Sequence, residues 1–243
     1  MKRANFRGAD ALRAWSFQPD FQSHPLASVL AVSGGTRVIC AVSLEENVPG
    51  WMKAQQVSGG WITAEYQMLP SATGTRGERE VNKGKLSGRS SEIQRLIGRS
   101  LRAMVDLKKL PGITLHIDCD VIDADGGTRT ASISGASLAL QIAVSRLMSR
   151  GLLTENPLTG RVAAVSVGIL EHEVLLDLCY TEDHDAEVDM NVVMTDAGRF
   201  VEIQGTGEEA TFSDEELASM LAAAKTGLAQ IFALQDEALA LVK

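Results

Sequence analysis

Two stretches concentrate the side chains that could do chemistry. Residues 181–189 read TEDHDAEVD and crowd Glu182, Asp183, Asp185, Glu187 and Asp189 into a short span. Hard oxygen donors at this density suit Mg²⁺, which takes one or two carboxylates and keeps several waters. A solvated acidic loop is the competing reading. The run is not an EF-hand loop, because the required glycine and terminal Glu are missing. The second stretch is Gly126-Gly127-Thr128-Arg129. Its glycines leave backbone N–H groups unobstructed, its threonine offers a hydroxyl, and its arginine offers a planar fork matched to phosphate. Arg89, at or just before the start of another predicted helix, points toward that helix's apolar side and away from Arg95. An ordinary turn with a threonine cap would use similar residues. A cation at the N-terminus of a buried helix opposes the helix dipole, however, and calls for an anion.

These residues must be carried by regular elements. Residues 113–121 alternate Leu115, Ile117, Cys119 and Val121 with His116, Asp118 and Asp120, the period of a strand with one buried face. From Thr130, residues Ile133, Ala136, Leu140, Ala143, Val144 and Leu147 recur at helical spacing, and Leu138 and Ile142 make the helix apolar nearly all round. A strand thus delivers the chain to the glycine pair, and a buried helix leaves it. Earlier, residues 27–32 and 37–44 form a hairpin, and 61–68 a further strand. Residues 69–88 are rich in glycine and basic residues and are expected to form an exposed, mobile loop. Residues 90–107 read as a helix with Ile93, Leu96, Ile97, Leu101, Met104 and Val105 on one side and Arg95, Arg99 and Arg102 on the other, facing solvent or another subunit. Later, 162–169 pairs with 174–180, and 189–195 with 199–203. Asp183 follows one apolar strand and Asp189 begins another, so rigid elements place both. Ser213 and Glu216 stand in capping-box spacing before an amphipathic terminal helix.

A chain of 243 residues, 45% of them hydrophobic, can bury a full core. It has neither a signal-like N-terminus nor an uninterrupted apolar run of roughly 18 residues, so the cytoplasm is the expected location and no membrane partner is expected. Cys40, Cys119 and Cys179 lie in apolar contexts and read as buried thiols. The net charge of -8 is unevenly spread. Residues 76–109 hold ten Lys or Arg and four acids, a balance of +6, whereas residues 171–243 hold 17 acids and three bases, a balance of -14. A chain so polarised can hold a polyanion on one face and a metal on another.

The segments ITAEYQMLP, GKLSGRSSEIQRLIGRSLRA, IDCDVIDADGGTRTASISGA, NPLTGRVAAVSVGI, TEDHDAEVDMNVVMT and EIQGTGEEATFS, in this order, resemble the bacterial ribonuclease PH family from about Arg3 to the terminal helix. The resemblance implies an α+β fold of the ribosomal-protein-S5-domain-2-like type, a mixed sheet packed with helices, as one catalytic domain over residues 1–243. It implies a phosphate-dependent 3′ to 5′ exoribonuclease, a nucleotidyltransferase acting on tRNA precursors and single-stranded 3′ tails, assembled as a homohexamer of three dimers. By position, Arg89, Gly127, Thr128 and Arg129 match the phosphate-binding residues, while Asp183 and Asp189 match the catalytic, Mg²⁺-associated carboxylates. Arg76 and Arg79 match residues that grip RNA. The chain departs from the family pattern at Phe6, where a glycine is usual, and at Gly50, Ser71 and Gly74, where cationic or histidine residues are usual. These departures bear on the RNA path and subunit contacts, not on the phosphate or carboxylate positions. A catalytically weak ring subunit that only binds RNA is the alternative, and retention of both arginines and both aspartates speaks against it. A metal-dependent hydrolytic nuclease would use the acidic run but would not need a phosphate pocket.

Overall fold

The computed structural model describes residue 3 and residues 6–207 and 210–242. In chain order the elements are β1 (Trp15–Pro19), β2 (Ala27–Ser33), β3 (Thr36–Glu45), the short α1 (Gly50–Ala54), β4 (Trp61–Met68), α2 (Gly88–Arg102), β5 (Thr114–Asp123) and α3 (Thr128–Ser149). The second half adds β6 (Val162–Leu170), β7 (Glu173–Leu176), α4 (Tyr180–Asp185), β8 (Val188–Thr195), β9 (Phe200–Gly207) and α5 (Asp214–Leu239). The first sheet runs β1-β2-β3-β5-β4 and is antiparallel except for the parallel β4–β5 pair. The second runs β7-β6-β8-β9, antiparallel throughout. The fold is therefore α+β with a mixed sheet, as the family resemblance implies.

α3 is the middle layer. It packs on β2 and β3 of the first sheet and on β6 of the second. Apolar side chains around its whole circumference are buried for that reason, including Ile133, Leu138, Leu140 and Ile142 at 0% exposure. Contact with the first sheet is close: a Cβ at Gly135 would lie 2.7 Å from both the Ala31 Cβ and the Cys40 Sγ.

The serines of α3 have a different task. β7 pairs only with residues 167–170 of β6, so the preceding part of β6 has no strand on that side. Ser134 Oγ accepts from the Ala164 N–H (3.0 Å) and donates to the Ala164 carbonyl (3.2 Å), and Ser137 Oγ accepts from the Val162 N–H (3.1 Å). Gln235 of α5 donates to the Val162 and Ser134 carbonyls. Two helices thereby satisfy a buried strand edge that would otherwise carry orphaned backbone groups.

Several boundaries differ from those the sequence pattern leads one to expect. The helix over 90–107 starts at Gly88, capped by Ser87, and ends at Arg102. Met104 and Val105 continue the apolar spacing, yet they are buried in a turn, where Val105 bridges to Leu158. The strand over 174–180 stops at Leu176, because Asp177 turns the backbone to φ +57° and the chain enters α4. The acidic run is therefore half helix and not a loop. α3 and α5 have the length and mean hydropathy of a membrane span, but α3 is enclosed by the two sheets and α5 lays Met220, Ala224, Leu228 and Ile231 against the core.

Ser134→Ala orphans both the N–H and the C=O of Ala164. It is expected to lower unfolding stability by about 1–3 kcal/mol, read as a shift of the urea midpoint at unchanged slope.

Candidate active site

The end of β5 and the starts of β8, α2 and α3 converge with α4 on one cleft of roughly 1030 Å³, at the large end of the range for ligand pockets. Arg89, Gly127, Thr128, Arg129, Asp183 and Asp189 all line it. All six residues singled out for phosphate and catalysis are thus brought together from three distant parts of the chain. Arg76 and Arg79 do not line the cleft; they lie on the exposed loop between β4 and α2. That loop is anchored where Ala72 is buried and its carbonyl accepts from the Ala124 N–H, and where the Glu80 carboxylate accepts from the Ser87 N–H and the Ser90 hydroxyl.

The glycine loop has the geometry of an anion cradle. Gly126 and Gly127 are both left-handed, at φ +74° and +65°, and Gly127 is the N-cap of α3 with no side chain to close the helix. The first N–H groups of a helix have no intrahelical acceptor, so they face the cleft together with the positive end of the dipole. Thr128 is held from below by Tyr66, whose buried hydroxyl lies 2.8 Å from its Oγ1. Burial raises the Tyr66 pKa despite that hydrogen bond and the nearby Arg89 and Arg129, so the phenol stays neutral. Arg129 is not as isolated a cation as the sequence suggests. It donates to Gln204 Oε1 (2.9 Å) and lies 3.5 Å from a Glu92 carboxylate oxygen, which aims its fork and tempers its charge.

The acidic run sorts into two classes once it is folded. Glu182 is 2% exposed and turned away from the cleft. Its carboxylate accepts from Arg3 Nε (2.9 Å) and Nη2 (2.8 Å), from Arg7 Nη2 (3.1 Å) and from the Cys179 N–H (3.0 Å). It is therefore a structural anion and not a metal ligand. On the opposite side of α4, Tyr180, Asp183 and His184 sit at i, i+3 and i+4 and line the cleft. The Asp183 carboxyl is raised above the ordinary carboxylate range, first by burial and then by the charge of Asp189, against the pull of Arg89, Arg129 and Arg13. Two carboxylates close enough to perturb each other, within reach of three guanidinium groups, form the electrostatic centre of the cleft.

Several residues that build this centre carry no local sequence signal. Asp177 is fully buried and accepts from the Arg13 N–H (2.8 Å), Arg13 Nη2 (2.7 Å) and Trp15 Nε1 (2.9 Å). The same Arg13 side chain donates to the Asp125 carbonyl and the Gly126 carbonyl. Tyr180 N–H in turn donates to Asp125 Oδ1 (3.2 Å). A Cβ at Gly126 would lie within 2.8 Å of the backbone of residues 178–180, so the glycine loop and the start of α4 meet backbone to backbone. Phe6 adopts φ +55°, a conformation suited to glycine, beside the Arg3 and Arg7 anchors of α4.

The basic stripe of α2 is largely satisfied within the chain. Arg99 pairs with Glu202 of β9, and Arg102 stacks on Trp61 at 4.7 Å while donating to the Ile62 carbonyl. Neither lines the cleft.

Comparison with known proteins agrees with this fold. The model of the 3′ exoribonuclease family, domain 1, matches residues 11–145, and that of domain 2 matches residues 160–227. Ribonuclease PH of Bacillus subtilis (strain 168) is 56% identical over 238 residues, covering 98% of this chain and 96% of the relative. Ribonuclease PH of Bacillus pumilus (strain SAFR-032) is 53% identical over 234 residues, with 96% of each chain covered. Among solved structures, rice (Oryza sativa) Rrp46 superposes with a TM-score of 0.78 at 19% identity, covering 98% of this chain and all of the other. An Archaeoglobus fulgidus exosome with RNA bound to the active site superposes with a TM-score of 0.77 at 20% identity, covering 95% of this chain and 91% of the other. At such identities the two structures speak to the fold alone.

Acid stability follows from Glu182. Burial by itself would raise its carboxyl, but the Arg3 hydrogen bonds, the Cys179 N–H and the Arg3 and Arg7 charges outweigh it and hold the pKa down to about 2, against an ordinary 4.5. The unfolded chain binds the extra proton first. The contribution is therefore complete above pH 4.5 and is lost as pH falls toward 2. Glu182→Gln is expected to lower stability at neutral pH by about 3 kcal/mol or more, since two buried arginines lose their counter-charge. It should also flatten the pH dependence of the thermal midpoint between pH 4.5 and 2.

Proposed function

The chain belongs to the ribonuclease PH family of 3′ exoribonucleases, and from that premise we propose how its cleft carries out phosphorolysis at the 3′ end of RNA. The enzyme is a phosphorolytic 3′ to 5′ exoribonuclease and nucleotidyltransferase that trims tRNA precursors. Inorganic phosphate replaces water as the attacking group. It attacks the phosphorus of the last internucleotide linkage, the bond to the 3′ oxygen of the preceding nucleotide breaks, and a nucleoside diphosphate leaves.

One site must therefore hold two anions close together. In this reading Arg89 and Arg129, the Thr128 hydroxyl and the N–H groups that follow Gly127 hold the attacking phosphate. They contribute by positioning it and by offsetting charge that water would otherwise screen. The observation that carries the assignment is the meeting of this cradle with Asp183 and Asp189 in one cleft. Asp183 and Asp189 would serve the departing 3′ oxygen in one of two ways, by protonating it or by holding Mg²⁺ beside it. Among the described residues no three His, Cys, Asp or Glu side chains converge as a metal cage. Asp183 and Asp189 would hold Mg²⁺ with water completing the shell, as two facing carboxylates and an open cleft allow. When bound, the ion supplies charge neutralisation at the phosphoryl oxygens. Arg76 and Arg79, on the exposed loop, would meet the RNA body by phosphate contact. Assembly as a homohexameric ring and a cytoplasmic location complete the reading and rest on family membership.

Arg89→Ala and Arg129→Ala are each expected to raise the KM for phosphate at least tenfold, with the KM for RNA little changed. Asp183→Asn and Asp189→Asn should lower kcat by about 10²-fold or more in both phosphorolysis and the reverse polymerisation, since both directions share one transition state. Steady-state kinetics with phosphate varied at saturating RNA reads the first pair. An unchanged phosphate KM in both arginine variants would remove the cradle from the mechanism.

A further inference from the structure

α4 carries two aromatic rings that the phosphate chemistry does not use. Tyr180 and His184 stand one turn apart on the face that also bears Asp183, and both line the cleft. The Tyr180 residue is 59% exposed and the His184 side chain 69% exposed. Their ring centroids are 6.2 Å apart with the planes tilted by 52°. A single exposed aromatic residue is unremarkable on a protein surface. A pair on one helical face beside a phosphate cradle is a different matter. Glu182, on the far side of α4, is locked by Arg3 and Arg7, so the helix cannot roll to bury the rings without breaking those bonds.

We propose that Tyr180 and His184 form a subsite for the nucleobase of the RNA's 3′-terminal nucleotide, with the base stacked on the Tyr180 ring and its edge toward His184. The proposal rests on the reading of the cleft as a phosphorolytic site. The tilt decides the arrangement, because a base cannot be sandwiched between planes 52° apart but can stack on one ring and meet the other edge-on. Placement decides which nucleotide is held. Tyr180 lies three residues, about 5 Å along the helix, from Asp183, which is within the span of the nucleotide whose phosphorus is attacked. His184 Nδ1 lies 2.8 Å from Asp185 Oδ1, which holds the imidazole in one orientation. A stacked base needs no particular identity, as suits an enzyme that removes one nucleotide after another. Purines, with the larger face, are held more tightly than pyrimidines on such a platform.

The test compares an oligoadenylate with the same oligonucleotide lacking only its terminal base. Base–aromatic stacking contributes enough that wild type should show a KM roughly tenfold lower for the intact RNA. Tyr180→Ala should raise the KM for intact RNA by about the same factor and no longer distinguish the two substrates. Tyr180→Phe should behave as wild type. The KM for phosphate should stay within about twofold throughout, which a general disruption of α4 and Asp183 would not permit. Equilibrium binding of the two oligonucleotides without phosphate reads the platform independently of the reaction. If wild type released no nucleoside diphosphate but Tyr180 still governed discrimination, the reaction assignment would fail and the subsite would stand. If Tyr180→Ala kept the full preference for the intact terminus, the subsite is wrong.

Discussion

The cleft depends on a pair of buried charge clamps between the N-terminal segment and the chain around α4. Arg13 and Asp177 form one, with side-chain exposures of 4% and 0%, and Arg3 with Glu182 forms the other, at 3% each. Buried ion pairs are poor sources of net stability, because desolvation consumes most of the Coulombic gain. Their value here is geometric. Arg13 grips the carbonyls of the glycine loop with one side of its guanidinium and Asp177 with the other, so the phosphate cradle and the helix bearing Asp183 are fixed to each other through one side chain. Facing carboxylates and an anion-binding loop must hold their relative positions closely for proximity to contribute to rate. A buried network in which both oxygens of Asp177 and of Glu182 accept hydrogen bonds, although Arg7 Nε and Arg13 Nε find no acceptor among the described residues, provides that where two loops would not.

Electrostatics then divides the labour. Four guanidinium groups, those of Arg3, Arg7, Arg13 and Arg129, have named protein acceptors that fix their directions. The carboxylates divide in the same way: Glu182 and Asp177 are consumed by structure, while Asp183 and Asp189 face the cleft. Net charge alone, at -8, would argue against a polyanionic substrate. Local charge decides the matter, because the positive groups are gathered at the cradle and along the loop that precedes α2.

Much of this was legible in the sequence. The alternation over 113–121 and the glycine pair before an all-round apolar helix located the glycine loop, the acidic run offered Asp183 and Asp189, and the family resemblance singled out these and Arg89 as the six residues that line the cleft. What was not legible has physical causes. α4 is only six residues long and mostly charged, so it offers no periodicity from which to read a helix. Met104 and Val105 keep the apolar spacing of α2 because the core is continuous across the turn, and tertiary burial and not helix propensity places them. Arg13 and Asp177 are separated by 164 residues, and neither stands in a pattern that announces its partner. The serines of α3 look neutral in a helix until a short β7 leaves β6 with an open edge. The pairing of Arg99 with Glu202 was not legible because Glu202 comes from a strand 103 residues further along the chain.

The claim at the centre of this account is that the anion held by Arg89, Arg129 and the start of α3 is the attacking group. Isotope tracing tests it directly. RNA is digested with ¹⁸O-labelled inorganic phosphate in unlabelled water, and the released nucleotides are analysed by mass spectrometry. The account predicts nucleoside diphosphates with the label in the β-phosphoryl group and no release when phosphate is withheld. Unlabelled nucleoside monophosphates, formed at the same rate with or without phosphate, would mean that water is the nucleophile and would contradict it.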